Sequence, residues 1–510
     1  MSLSFSKAVC GEEICFWDSK PLHSTFNPVT EAQRFISILN FTSPAYIIFL
    51  GPCLPFCLPF LRKKYPNTKI IAVQYFTGLP KKQDSWDNEL ILSSAESTGE
   101  SLYGIIGEEY SNSIEIISWN TCERLFHNSY ITACEAVKIF LSKSRDLLAT
   151  RIFFSKRWFK NTINFFNNIS KICLPVCGTS PVLITASGPS LDACIPTIIQ
   201  KREKLFIIAL SSSLSILAHH HIIPDLCVST DGGYWAKKHL SSMNNVFNLP
   251  LAVSAESYVP KSILNNSIIL PLNYGDGFSS ILFNTVSIPY TPAVRNGTVS
   301  GTALFLAKLL TTGPVFFAGL DLSSAKGYQH SQPNLLEKAA SIIDTRLSNS
   351  QTRAAAQEIN SRGSLHIYEQ WFKLLQSSIT KNLYRLKPSD SSLHNQLGTL
   401  QDVSLDQFLS ILSSSQDLKP SFTIYKTDKC RSILEKKINS LLSLLKNISY
   451  KNPHLLIENT EILELAKSAS LQKYLAFTKY YNEESFTNLL EELQEVLKTA
   501  SSMLGVNNDI

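Results

Sequence analysis

Charge is scarce in this sequence: Asp, Glu, Lys and Arg make up 17% of its 510 residues, and 44% are hydrophobic. Ordinary soluble domains carry about a quarter charged residues, so this balance points to a folded chain with a substantial core. The net charge of +6 is mild. The basic residues form no stripe interleaved with aromatics, so nucleic acid is not an expected partner. No two of the 11 cysteines make a C-x-x-C pair; Cys53 and Cys57 stand four apart, as do Cys173 and Cys177, and no histidine lies near either pair. That spacing argues against a metal knuckle or a disulfide framework and for reduced, buried thiols in a cytoplasmic protein. A P-loop is missing, and no basic, apolar leader opens the chain. The uncharged run 35–61 contains Pro44, Pro52, Pro55 and Pro59. Prolines so closely spaced break a spanning helix, so no membrane span is expected.

What is present is a set of strand-end loops. Val182-Leu183-Ile184 reads as a buried parallel strand. Ser187-Gly188-Pro189-Ser190 then turns the chain into a helix from Asp192 to Gln200. Strand, glycine turn and helix N-terminus together make an anion site. The pattern repeats with strands at Leu205–Leu210 and Leu226–Ser229, the second delivering Asp231 past its carboxyl end, where open α/β sheets bind ligands. A carboxylate there can accept ribose hydroxyls, hold Mg²⁺ or simply cap the next helix. Leu251–Ser254 and Ile268–Asn273 are further strands, the latter bringing Asn273, Tyr274 and Asp276 to another strand end. Ser300, Gly301 and Thr302 lead into the helix Ala303–Leu310 and suit phosphate or nucleotide contacts. Pro314–Ala318 is a strand ending in Gly319-Leu320-Asp321. His330 follows in a loop expected to overhang the crevice, where an imidazole can act as general base; His366 is the runner-up. His219, His220 and His221 point three ways around a helix and cannot share one metal without unwinding it.

Three domains fit the length. Residues 1–168 read as a smaller, degenerate Rossmann-like domain. Gly51-Pro52-Cys53-Leu54-Pro55 stands where a glycine-rich loop would be, and Gln74 where a ribose-binding acid is expected. Residues 169–395 form the Rossmann-like α/β domain just described, with 335–360 as a helical insertion or lid. Residues 396–510 show apolar residues at helical spacing and read as an all-α domain, suited to homo-oligomerisation, to docking a protein substrate, or to capping the fold.

The stretches SGPSLD, IPDLCVSTD, SGTALFLAKLL and AGLDLSSAKGYQHS, with Leu22-His23-Ser24, Asn27-Pro28 and Trp158-Phe159-Lys160-Asn161, resemble the motility-associated-factor (Maf) flagellin glycosyltransferases, whose central domain is MptE-like. The resemblance covers roughly residues 20–385 and is weakest beyond. It implies a cytoplasmic, inverting glycosyltransferase that moves a nonulosonic acid, of pseudaminic or legionaminic type, from a CMP-sugar to Ser or Thr hydroxyls of flagellin. It implies His330 and Asp231 in catalysis, and Ser187, Gly188, Pro189, Ser190, Asn273, Ser300, Gly301, Thr302, Gly319 and Asp321 around the donor. No cofactor is obligatory; CMP-sugar is the donor substrate, with Mg²⁺ on Asp231 as an option. Two other readings stand beside it. One is a pterin pyrophosphokinase of the MptE-like kind. The other is a flagellin-binding relative without catalysis, since Ala186-Ser187 and Leu320 depart from the family pattern.

Overall fold

The computed structural model describes residues 3–80, 85–241, 243, 249–295, 298–322, 328–350, 352–353, 364–389, 395–427 and 430–505. The chain forms two compact units, Met1–Phe153 with Thr478–Tyr480, and Phe154–Phe477 with Tyr481–Ile510.

In the first unit, β1 (Leu3–Lys7), β2 (Glu13–Trp17) and β3 (Lys20–Pro21) make an antiparallel sheet. A second, parallel sheet has the order β6-β5-β4-β7, from β4 (Tyr46–Leu50), β5 (Lys69–Gln74), β6 (Asn88–Ile91) and β7 (Ile114–Ser118). β4 is the uninterrupted apolar run YIIFL, buried throughout, as a strand covered on both faces must be. The prolines that follow make a short turn at Pro55–Cys57 and then start the helix Leu58–Lys64. Proline's missing N–H costs nothing in a first helical turn.

The second unit is built on an eleven-stranded sheet. Its strands are β8 (Lys171–Val176), β9 (Val182–Thr185), β10 (Phe206–Leu210), β11 (Leu226–Val228), β12 (Leu251–Ser254), β13 (Ile269–Asn273), β14 (Thr291–Pro292), β15 (Val315–Ala318), β16 (Leu383–Leu386), β17 (Gln401–Val403) and β18 (Ser421–Lys426). They lie in the order β17-β16-β15-β9-β10-β11-β12-β13-β8-β18, with β14 beside β13, and only β18 runs antiparallel to its neighbour. From β9 the chain steps one way through β10 to β13 and the other way through β15 to β17. The order therefore reverses between β9 and β15, which opens a crevice beyond their carboxyl ends.

Alternation along β9 serves two cores. Val182 and Ile184 face the helix Val299–Leu310, while Leu183 faces the helix Leu191–Gln200. The stretch 396–510 is not all-α: β17 and β18 extend the sheet of this unit. Leu434, Ile438, Leu441 and Leu445 of the helix Cys430–Lys446 join the same core as Phe278 and Phe283. Their apolar stripe seats on the helix Gly277–Val286, so these helices form a layer of the second unit.

Candidate functional site

The turn after β9 is stitched to the end of β15. The Ala186 amide donates to Ala318 O at 2.8 Å, and the Gly188 amide to Gly319 O at 2.9 Å. The approach is so close that a Cβ on Gly188 would sit 2.5 Å from Gly319 O, and one on Gly319, whose φ is +74°, 2.6 Å from Ala186 O. The Ser190 amide and hydroxyl both donate to the Asp321 carboxylate, the amide at 2.6 Å. Asp321 is buried, and that burial pushes its carboxyl up against the pull of Ser190 and Arg385.

Arg385, with no exposed surface, braces this junction. It forks onto Asp402 at 2.7 and 2.8 Å and reaches Asn395, whose amide donates to Asp321 O at 3.0 Å. Gly188 and Ser190 spend their amide hydrogens on Gly319 and Asp321, and Pro189 has none to give. The turn is thus a joint between strand ends, and Gly319 and Asp321 are parts of that joint.

His330 is held directly over it. Ser331 donates its amide to Ser187 O at 2.8 Å and its hydroxyl to Gly188 O at 2.7 Å. The His330 ring meets a carboxylate that the sequence did not single out. Its Nδ1 lies 3.3 Å from Glu337 Oε1, and the same oxygen accepts the amides of Gln329 and His330. Glu337, on the helix Leu335–Ser341, is buried and its other oxygen takes Arg353 at 3.2 Å. Burial alone would raise its carboxyl; the bonds from His330, Gln329 and Arg353 outweigh that and hold it at about 2. His330 itself keeps 23% of its side chain exposed.

Asp231 lies on an exposed turn after β11 and accepts the Gly233 amide at 2.8 Å. Gly232 there touches Trp158, and Asn161 binds the carbonyls of Gly232 and Glu256 at 3.2 and 2.9 Å. The next helix, Tyr234–Ser241, brings up His239. Its buried Nε2 has no hydrogen-bond partner. Burial depresses this imidazole to about 4, reinforced by His330 and opposed by Asp231. Asp231 and His330 thus both lie within electrostatic reach of one unpartnered imidazole. Tyr368, raised first by burial and then by Asp231, approaches from the helix Ser364–Lys373. The side chain of His366, on the same helix, and residues 351 and 354–360 of the expected lid lie outside the described residues.

Farther along the strand ends, Thr298 caps the helix Val299–Leu310 by accepting the Gly301 amide at 2.9 Å. Ser300, Gly301 and Thr302 occupy its first turn, while Asn296 and Gly297 are outside the described residues. Tyr274 interacts with Ser254 and Thr302. The Arg295 guanidinium lies 4.4 Å over the Tyr274 ring and forks onto Glu256 at 2.7 and 2.8 Å. Asn273 is buried, its Oδ1 accepting the Gly275 amide at 3.1 Å and its Nδ2 donating to Ser280 Oγ at 3.3 Å. Asp231 and His330 thus both act electrostatically on His239, and the Ser300–Thr302 turn opens the helix that packs on the same sheet.

Residues 155–327, which include every loop named above up to Asp321, match the protein family described as 6-hydroxymethylpterin diphosphokinase MptE-like. The central domain is MptE-like. The match begins one residue after the second compact unit, which starts at Phe154, and the MptE-like domain therefore includes the end of the long helix His127–Asn168. An uncharacterized protein of Treponema pallidum (strain Nichols) is 29% identical over 301 residues, 58% of this chain. The chain spans 65% of the length of that curated relative. A solved Maf glycosyltransferase from Magnetospirillum magneticum AMB-1 shares the fold at a TM-score of 0.55 and 11% identity, over 99% of this chain and 92% of that one. The resemblance to the Maf family thus reaches beyond the MptE-like domain to the whole fold. Among the described residues no helix is long and apolar enough to cross a membrane.

Proposed function

We propose that the chain is an inverting glycosyltransferase that moves a pseudaminic- or legionaminic-type nonulosonic acid from its CMP-activated form to Ser or Thr hydroxyls of flagellin in the cytoplasm. The observation that carries this reading is the His330–Glu337 pair, fixed by main-chain bonds over the crevice between β9 and β15. A carboxylate at Nδ1 sets the ring's orientation and leaves Nε2 to take a proton. As the acceptor oxygen bonds to the anomeric carbon, its proton passes to His330, the bond from that carbon to the phosphate oxygen breaks, and CMP leaves with the electron pair. The leaving phosphate calls for positioned donors. The first turn of the helix Val299–Leu310 supplies main-chain N–H groups and the positive end of its dipole, with Ser300 and Thr302 hydroxyls beside them. Asp231 accepts ribose hydroxyls or holds Mg²⁺ in this reading.

The test incubates the full chain with CMP-pseudaminic or CMP-legionaminic acid and flagellin, and follows intact mass. A gain of one sugar or more on flagellin, lost in His330→Ala, supports the reading; transfer that survives His330→Ala removes the base assignment. The match of residues 155–327 to the MptE-like family favours a second reading, a pterin diphosphokinase at the same site. Transfer from ATP–Mg²⁺ to 6-hydroxymethylpterin, without any reaction with CMP-sugars, would establish that one. Capture of flagellin with neither reaction would make the chain a binding relative.

A further inference from the structure

The first unit carries a cluster that the transferase reading leaves unused. Its parallel sheet reverses order between β4 and β7, so its own crevice lies beyond those strand ends. Instead of a glycine loop, Cys53 enters from the end of β4, Cys122 from the helix Asn120–Leu125 after β7, Cys15 from β2 and His23 from the chain after β3. All four side chains are buried. A ring nitrogen of His23 and the sulfurs of Cys15 and Cys53 lie within 4.8 Å of one another, and Cys122 Sγ is 3.1 Å from Cys53 Sγ.

Two further observations point to a ligand. His23 is 4% exposed, yet its Nδ1 has no hydrogen-bond partner. Such an orphaned polar atom is unfavourable unless something satisfies it. Gln74, which stands where a ribose-binding acid was expected, instead clamps the Cys53 backbone. Its Oε1 accepts the Cys53 amide at 3.1 Å and its Nε2 donates to Cys53 O at 2.9 Å. Cys53 is held there at φ +57°, a conformation a side chain rarely adopts.

We infer that Cys15, His23, Cys53 and Cys122 form a closed structural site for a thiophilic divalent cation, zinc above all. Three sulfurs and one imidazole are a tetrahedral zinc set. Bonds of about 2.0–2.3 Å to zinc put such ligand atoms about 3.5–4 Å apart; Cys15, His23 and Cys53 already lie within 4.8 Å of one another, and Cys122, which touches Cys53, completes the set by a turn of its side chain. Binding releases the thiol protons to solvent. In the free ring Nε2 accepts the Leu54 amide at 3.3 Å; ligation at Nδ1 moves the ring proton to Nε2 and gives up that long bond. The ion occupies the crevice that a dinucleotide fills in functional Rossmann-like units.

The experiment measures metal on the full chain purified without added zinc. About one zinc per chain is expected, falling at least tenfold in Cys15→Ser and Cys53→Ser and unchanged in Cys10→Ser, whose thiol is exposed. Because the ligand variants can fail to fold, unaltered protein stripped by a chelator is also titrated with Co²⁺. Thiolate-to-cobalt charge-transfer bands and tetrahedral d–d bands, displaced by Zn²⁺, support the site. A folded chain that holds no zinc and stays spectroscopically silent with Co²⁺ overturns it, as does a Cys53–Cys122 disulfide in the purified protein.

Discussion

Asp321 accepts both the amide and the hydroxyl of Ser190, so the carboxylate delivered by β15 closes the turn that follows β9. A strand-end Asp in this kind of sheet is commonly read as a ligand-binding group. Here it is an internal fastener, buried and bonded before any ligand arrives.

The closeness of that joint sets the first prediction. Gly188→Ala would place a methyl group 2.5 Å from Gly319 O and 2.7 Å from Asp321 Cγ, and Gly319→Ala one 2.6 Å from Ala186 O. The obstacles are mostly backbone, which cannot swing aside. Each substitution is expected to cost about 1–3 kcal/mol, read as a lower urea midpoint with an unchanged slope.

Arg385 supplies the second. Its side chain is fully buried and bonded to Asp402, Asn395 and Leu320 O. Arg385→Met leaves Asp402 with only Lys387, at 3.6 Å, and leaves Asn395 Oδ1 without its guanidinium, a loss expected to cost about 1–3 kcal/mol. The double change Arg385→Met with Asp402→Leu should recover part of that loss. A double-mutant cycle by chemical denaturation measures the coupling.

The third concerns Glu337. His330→Gln should lower transfer about 10²–10⁴-fold, the usual worth of a general base. Glu337→Gln should lower it less, because the ring remains but loses its orienting charge. The carboxylate also stabilises the fold. Its folded value of about 2 lies below the ordinary 4.5, so this stability is complete above pH 4.5 and is lost as pH falls through about 2. Acid unfolding of Glu337→Gln should lack that limb.

His239 gives the fourth. Burial, with His330 adding to it, depresses its imidazole from 6.5 to about 4. The unfolded chain therefore takes up a proton before the folded one. Stability contributed by the neutral ring is complete above pH 6.5 and is lost as pH falls to about 4. His239→Phe should flatten the dependence of unfolding free energy on pH across that window.

Much of this was legible from local patterns. Short apolar runs rich in Val and Ile announced β4, β9, β10, β12 and β15, because a strand buried on both faces has little choice of residue. That Asp231 follows a strand end was legible because the chain must place whatever follows a parallel strand at one edge of the sheet. Glu337 was not, since a lone acid in a helical stretch carries no mark of which imidazole it will meet. His239 was hidden in an ordinary amphipathic helix. Arg385, Asn395 and Asp402 come from a stretch assigned to two different domains. Residues 396–426 were missed as strands because β17 and β18 are short and half-polar, and the helical periodicity after them dominated the reading. The cysteine cluster escaped for a related reason. Its members are spread from position 15 to position 122, and only the fold makes them neighbours.

The bonds that position His330 run from Ser331 to the main-chain oxygens of Ser187 and Gly188. Every residue type carries a main-chain carbonyl. The imidazole is therefore surveyed from landmarks that most substitutions in the turn leave intact, provided position 188 stays glycine. Side chains at positions 187 and 189 can drift through long divergence while the imidazole keeps its station. The placing of the imidazole thus follows the path of the backbone rather than the side chains of the turn.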